Sequence, residues 1–83
     1  MRIVGTIPNQ KFRIVVYELE KHLYTEVEAG PMKQGFKWPK AKVSGLEAAE
    51  KLFDTAFLKS IETRFNEMYA EMERRIQDYL KGK

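Results

Sequence analysis

Residues 46–80 read LEAAEKLFDTAFLKSIETRFNEMYAEMERRIQDYL and contain neither glycine nor proline. Within this stretch the apolar residues recur at steps of three and four, the spacing that places side chains on one face of an α-helix: Leu46, Ala49, Phe53, Phe57, Ile61, Phe65, Met68, Met72, Ile76 and Tyr79. Ser44 followed by Glu47 fits a capping box at the first turn. The sequence therefore predicts one long helix over residues 45–80.

The predicted helix is too long for the rest of the chain to cover. The 35 residues from Leu46 to Leu80 span about 52 Å at 1.5 Å per residue, whereas strands of five or six residues span about 17–20 Å. The first half can pack on a sheet, and the second half must overhang. The overhang can pair with the same region of a second chain, the helix can break near Asp54 and Thr55 and fold back, or the end can remain exposed.

Pairing is the outcome we predict for this overhang. An exposed apolar stripe of this length favours aggregation, and no glycine or proline marks a break in the helix. A two-fold homodimer is the commonest closed assembly, and it also enlarges the small core of a short chain. The predicted dimer interface contains Phe65, Met68, Met72, Ile76 and Tyr79.

The residues before the helix have the composition of β-strands. Residues 12–19, FRIVVYEL, are rich in β-branched and aromatic residues, and residues 23–29, LYTEVEA, alternate between apolar and polar. Residues 2–7 form a shorter candidate strand, and residues 33–38 form a weaker fourth. The predicted fold class is therefore α+β: an antiparallel sheet of three to four strands in residues 1–43, followed by one long C-terminal α-helix.

Length and composition limit the classes of protein that remain. The 83 residues predict a single domain, and the absence of cysteine excludes disulfide frameworks, thiolate metal sites and cysteine nucleophiles. No apolar run approaches the length of a membrane span, and no signal-peptide core precedes residue 20. We therefore expect the protein to be cytoplasmic and not to bind a membrane.

The sequence contains no arrangement of residues typical of an active site. His22, the only histidine, lies in a predicted hairpin turn without metal-ligand partners. Glu26 and Glu28 lie with Tyr24 on the solvent-exposed face of a predicted strand, and no candidate nucleophile is adjacent to them. We therefore expect no enzyme, no metal and no cofactor.

One stretch, KQGFKWPKAK at residues 33–42, combines four lysines with two aromatic residues and no acid. Single-stranded nucleic acid is bound by this mixture, because cations contact phosphates while aromatic faces stack on bases. The predicted binding residues are Arg13, Lys33, Phe36, Lys37, Trp38, Lys40 and Lys42. Alternatively, Phe36 and Trp38 point into the core, the lysines protect an edge strand, and the protein is a structural or protein-interaction module.

The order of these elements resembles the single-stranded-DNA-binding domains of the positive-cofactor-four type. The similar stretches are FRIVV at residues 12–16, GPMKQGFK at residues 30–37 and LEAAEKL at residues 46–52. Whirly-type domains are similar at the same coarse level. The resemblance implies a curved antiparallel sheet, dimerisation through helices and sheet edges, and single-stranded DNA or RNA as a partner. It would place Lys33, Lys37 and Trp38 on the side that faces DNA.

Overall fold

The computed structural model describes residues 1–82 and contains a four-stranded antiparallel sheet followed by two helices. The strands are β1 (Arg2–Ile7), β2 (Arg13–Glu18), β3 (His22–Ala29) and β4 (Met32–Pro39); the helices are α1 (Leu46–Leu52) and α2 (Thr55–Lys81). The strands lie in the sheet in chain order, so that β1 and β4 are its edges. The predicted α+β fold is confirmed.

Short connections fix the register of this sheet. The side-chain oxygen of Asn9 accepts hydrogen bonds from the backbone N–H groups of Lys11 and Phe12, both at 2.9 Å, between β1 and β2. Gly30 adopts φ 57° in the two-residue loop before β4, a conformation that glycine adopts without strain. His22 begins β3 opposite Pro39 and does not lie in the turn where the sequence placed it.

The core lies between one face of the sheet and the two helices. Alternating residues of the central strands supply the sheet side of this core: Ile14 and Val16 from β2, and Leu23, Thr25 and Val27 from β3. The helices contribute Ala49, Phe53, Ile61 and Phe65. This alternation agrees with the pattern predicted for β3, and it leaves the opposite face of the sheet without a helix.

The single helix predicted over residues 45–80 is interrupted. α1 ends at Leu52, and α2 begins after Asp54, whose side-chain oxygen accepts a hydrogen bond at 2.8 Å from the backbone N–H of Phe57. Asp54 is therefore the N-cap of α2, and the helix breaks at the position that the sequence left open as an alternative to a continuous helix. The predicted Ser44–Glu47 capping box is also wrong, because Gly45 is the N-cap of α1 and no side chain caps it.

The C-terminal half of α2 projects beyond the sheet. The last α2 side chains that are buried are Ile61 and Phe65, and the molecule measures 49 × 27 × 18 Å along its principal axes. The break at Asp54 does not return this half of α2 to the core, since no described residue after Phe65 is buried. The predicted overhang is therefore present, although it belongs to a helix that starts ten residues later.

The N-cap gives a direct test of this fold. Asp54→Ala removes the acceptor for the Phe57 N–H and should lower the free energy of unfolding by about 0.5–2 kcal/mol. Asp54→Asn is the matched control, because asparagine caps about as well as aspartate. Urea denaturation followed by circular dichroism measures both variants. Equal stability of Asp54→Ala and the wild type would show that the cap does not fix the start of α2.

Candidate interaction surfaces

The residues of β4 that were predicted to form one nucleic-acid-binding site lie on opposite faces of the sheet. Phe36 and Trp38 are half-buried and face α2, where they pack against the core. Lys33 and Lys37 are exposed and alternate with these aromatic residues, so they lie on the opposite face of the sheet. The structure thus has the arrangement of the alternative interpretation, with aromatic residues inside and lysines outside.

Trp38 is held firmly on the helix side. Its indole N–H donates a hydrogen bond at 2.9 Å to the hydroxyl of Thr25, a residue with no exposed surface. Its ring stacks on Phe36 with centroids 5.8 Å apart and meets the ring of Phe57 edge-on at 6.1 Å. These contacts hold the Trp38 ring, which was predicted to stack on a base, against Phe36 and α2.

Gln34 links β4 to α2 and was missed in the sequence. Its amide nitrogen donates to the Ile61 carbonyl at 3.0 Å, and its side-chain oxygen accepts from the Arg64 guanidinium at 3.0 Å. Arg64 also lies over the Phe36 ring, 5.9 Å from its centroid. Gln34 lies two residues before Phe36 and four before Trp38, so the three side chains share one face of a strand. This spacing is the feature of the sequence that could have indicated the contact.

We call the uncovered side of β2, β3 and β4 the open face. Its residues alternate with those of the core: Arg13, Val15, Tyr17, Tyr24, Glu26, Glu28, Lys33 and Lys37. Tyr17 and Tyr24 are directly paired, with ring centroids 5.9 Å apart and planes tilted by 36°. Tyr24 lies over Gly35, where an added Cβ would come within 2.2 Å of the phenol oxygen. The open face therefore presents an aromatic pair that is not among the residues predicted to bind nucleic acid.

The charges on the open face nearly balance. Three cations stand against two carboxylates, and the ammonium of Lys33 lies 3.7 Å from Glu26 and 3.9 Å from Glu28. The Tyr24 hydroxyl donates to the Glu26 carboxylate at 3.3 Å. Burial raises the pKa of the Tyr24 phenol, and the neighbouring Glu26 charge raises it further. Arg13 and Lys37 are the remaining open-face cations, and both are exposed.

Lys40 and Lys42 lie beyond the end of β4 and outside the open face. The Lys40 ammonium is 3.3 Å from a carboxylate oxygen of Glu18, whose other oxygen pairs with Arg2. Hydrogen bonds from Lys40 and Arg2 hold the pKa of Glu18 below its ordinary value. Because the folded-state pKa is lowered, this attraction is present at neutral pH and is lost as the pH falls through that lowered value.

The second surface is the apolar side of the projecting half of α2, residues 69–81, together with Met68 at the edge of the core. We define the projecting stripe as six residues on this side: Met68, Tyr69, Met72, Ile76, Tyr79 and Leu80. Tyr69, Ile76, Tyr79 and Leu80 are 49%, 42%, 63% and 55% exposed. Phe65, which was predicted for the dimer interface, is instead part of the chain's own core, with its ring 5.4 Å from that of Phe12.

Within residues 1–82, no three histidine or acidic side chains come together as metal ligands. In the same part of the chain, no helix is both long enough and apolar enough to cross a membrane.

Comparison with protein-family models, with curated proteins and with solved structures found no match. The resemblance to single-stranded-DNA-binding domains therefore stays a prediction.

A double-mutant cycle tests the position of Trp38. Trp38→Phe removes the donor to the buried Thr25 hydroxyl and should cost about 1–3 kcal/mol of stability. Adding Thr25→Val removes the acceptor as well, and the double variant should be more stable than the sum of the two single losses predicts. Denaturant unfolding measures the three variants. Purely additive losses would show that the two side chains do not interact.

Proposed function

We propose that the protein is a self-associating protein-interaction module, which forms a homodimer through the projecting stripe and presents two open sheet faces. The exposure of that stripe carries the proposal. Phe36 and Trp38 pack inside the chain, and Lys33 and Lys40 lie near carboxylates. The two aromatic residues and two of the four lysines of this stretch thus have partners within the chain, and the projecting stripe is the stronger candidate for recognition. A cytoplasmic location stays a prediction, and no catalytic role is included.

The projecting half of α2 gains little stability from its own chain. An isolated helix of this length is marginal in water, because most helical stability in proteins comes from packing of an apolar face. The residues beyond Met68 include four exposed large apolar side chains on or beside one face. Burial of that face against another apolar surface offsets the cost of keeping the helix ordered.

A charge placed on either side of the helix tests self-association. Met72→Glu puts an unpaired carboxylate in the proposed interface and should shift the protein to monomer, because burying a lone charge is costly. Ala70→Glu is the matched control, since Ala70 is exposed on the opposite side of the helix. Light scattering after size exclusion at tens of micromolar gives the mass. A wild-type monomer that is fully folded would refute the proposal.

A second candidate function is binding of single-stranded nucleic acid on the open face, and one observation favours it. Tyr17 and Tyr24 form a paired aromatic surface on adjacent strands, and Arg13 and Lys37 are exposed on the same face. Aromatic rings supply stacking surfaces for bases, while cations contact phosphates. In this version the stacking role moves from Phe36 and Trp38 to the tyrosines, and Lys40 and Lys42 lie outside the site.

Because the open face has charges of both signs, this candidate function predicts substitutions that weaken binding and one that strengthens it. Two phosphate contacts, by Arg13 and Lys37, should give a log–log salt slope of about −1.4, at about −0.7 per contact. Tyr24→Leu should cost about 1–3 kcal/mol of binding, whereas Glu28→Gln should strengthen binding by removing a repulsive charge.

Fluorescence anisotropy with labelled single- and double-stranded 20-mers at low salt measures these effects. Trp38→Phe is the control variant, because Trp38 lies on the other face of the sheet. Absence of binding at tens of micromolar protein would exclude this second function and leave the self-association proposal unaffected.

A further inference from the structure

We propose that two copies of the chain pair antiparallel through the projecting stripe, with the two-fold axis level with Glu73. This inference rests on the proposed self-association and specifies its geometry. Three observations carry it: the side of α2 on which the sheet packs, the length of helix left beyond the sheet, and the charges that flank the stripe.

The chain's own sheet already occupies one end of the apolar side of α2. At 100° per residue, the side chains of Ile61, Phe65, Met68, Met72, Ile76 and Tyr79 lie within about 80° of the helix circumference. The first two are buried against the sheet, and Met68 packs at the edge of the core. The sheet and any helical partner must therefore contact the same side of α2, one after the other along its length.

A parallel partner would collide with this sheet. Two packed helices lie about 8–10 Å apart, so a parallel second copy would place its own residues 55–65 alongside the first half of α2. That space contains Phe12, Phe36 and Trp38. The ring centroid of Phe12 lies 5.4 Å from that of Phe65, and those of Phe36 and Trp38 lie 5.3 and 6.1 Å from that of Phe57. An antiparallel copy runs the other way and contacts only the projecting half.

The length of the projecting half sets the register. An antiparallel second helix can advance until its C-terminal residue, Lys81, comes level with Phe65, the last α2 side chain that the sheet buries. Residues 68–78 of the two copies then lie side by side about a centre at residue 73. Met72 of one copy lies close to Met72 of the other, and Met68 lies level with residue 78 beside Tyr79. The stripe thus becomes the interior of a symmetric helix pair.

The charges beside the stripe fit the same register. Glu71 and Arg75 project on the same flank of the stripe, at about 100° and 60° from Met72. In a two-fold antiparallel pair, each flank faces the same flank of the second copy. A centre at Glu73 therefore sets each Glu71 opposite Arg75 of the other copy, twice per dimer. In the single chain, the Glu71 carboxylate already accepts a hydrogen bond from Arg74 at 2.6 Å.

Introduced cysteines test the orientation, because the chain has no cysteine of its own. Met68→Cys and Tyr79→Cys variants are mixed as folded dimers, allowed to exchange, and treated with a short bis-maleimide. In the antiparallel pair, position 68 of one copy lies about one residue from position 79 of the other, so the mixture should give covalent dimer. Two Tyr79→Cys positions lie about 18 Å apart along the axis, at 1.5 Å per residue, so this variant alone should not cross-link.

Two controls make the outcome decisive. Met72→Cys alone should cross-link near the two-fold axis, and Ala70→Cys, on the opposite side of the helix, should not. Efficient cross-linking of Tyr79→Cys alone would establish a parallel pair and overturn the inference while leaving self-association intact. A dimer in which the mixture of Met68→Cys and Tyr79→Cys does not cross-link would also overturn it. A monomer by light scattering before the reagent is added would overturn self-association itself.

Discussion

The dominant constraint in this protein is that α2 is longer than the strands of the sheet that covers it. α2 has 27 residues and extends about 40 Å, whereas the longest strands have eight residues and extend about 26 Å. The sheet buries Ile61 and Phe65 and then ends. The apolar pattern of the helix continues for four more turns, so the exposed stripe follows directly from this difference in length.

The alternation of side chains along β4 determines which of its residues are accessible to a ligand. Trp38 faces the core because it pairs with the buried Leu23 on β3, and this register also sends Lys37 to the open face beside Tyr24. A shift of one residue would exchange these two sets of side chains. The packing of Trp38 against Thr25 and Phe57 favours this register. It also half-buries Trp38, one of the two aromatic side chains that indicated nucleic-acid binding in the sequence.

Much of the fold could be predicted from the sequence, because it rests on periodicity. The alternation of residues 23–29 predicted the two faces of β3, and the steps of three and four predicted a helix that outgrows the sheet. The break at Asp54 could not be predicted from glycine or proline. It depends on an aspartate that caps α2 while Phe53 and Phe57 remain in one aromatic cluster, a contact visible only in three dimensions.

The candidate surfaces were less predictable for a related reason. Lysine and aromatic residues alternate along β4, so a composition argument groups them although the strand places them on opposite faces. Tyr17 and Tyr24 lie in different strands, and only the register of β2 with β3 brings their rings together. The signal was present in the placement of Phe12, Ile14 and Val16 on one face, which assigns Tyr17 to the other.

In the proposed homodimer, a second copy of the chain orders the projecting half of α2. Hydrogen exchange measured by mass spectrometry at two protein concentrations tests this ordering. If the homodimer orders this half of the helix, amides of residues 69–81 are protected at high concentration and lose protection on dilution, while those of β2 and β3 stay protected throughout. Protection of residues 69–81 that does not depend on concentration, or fast exchange there at every concentration, would contradict it.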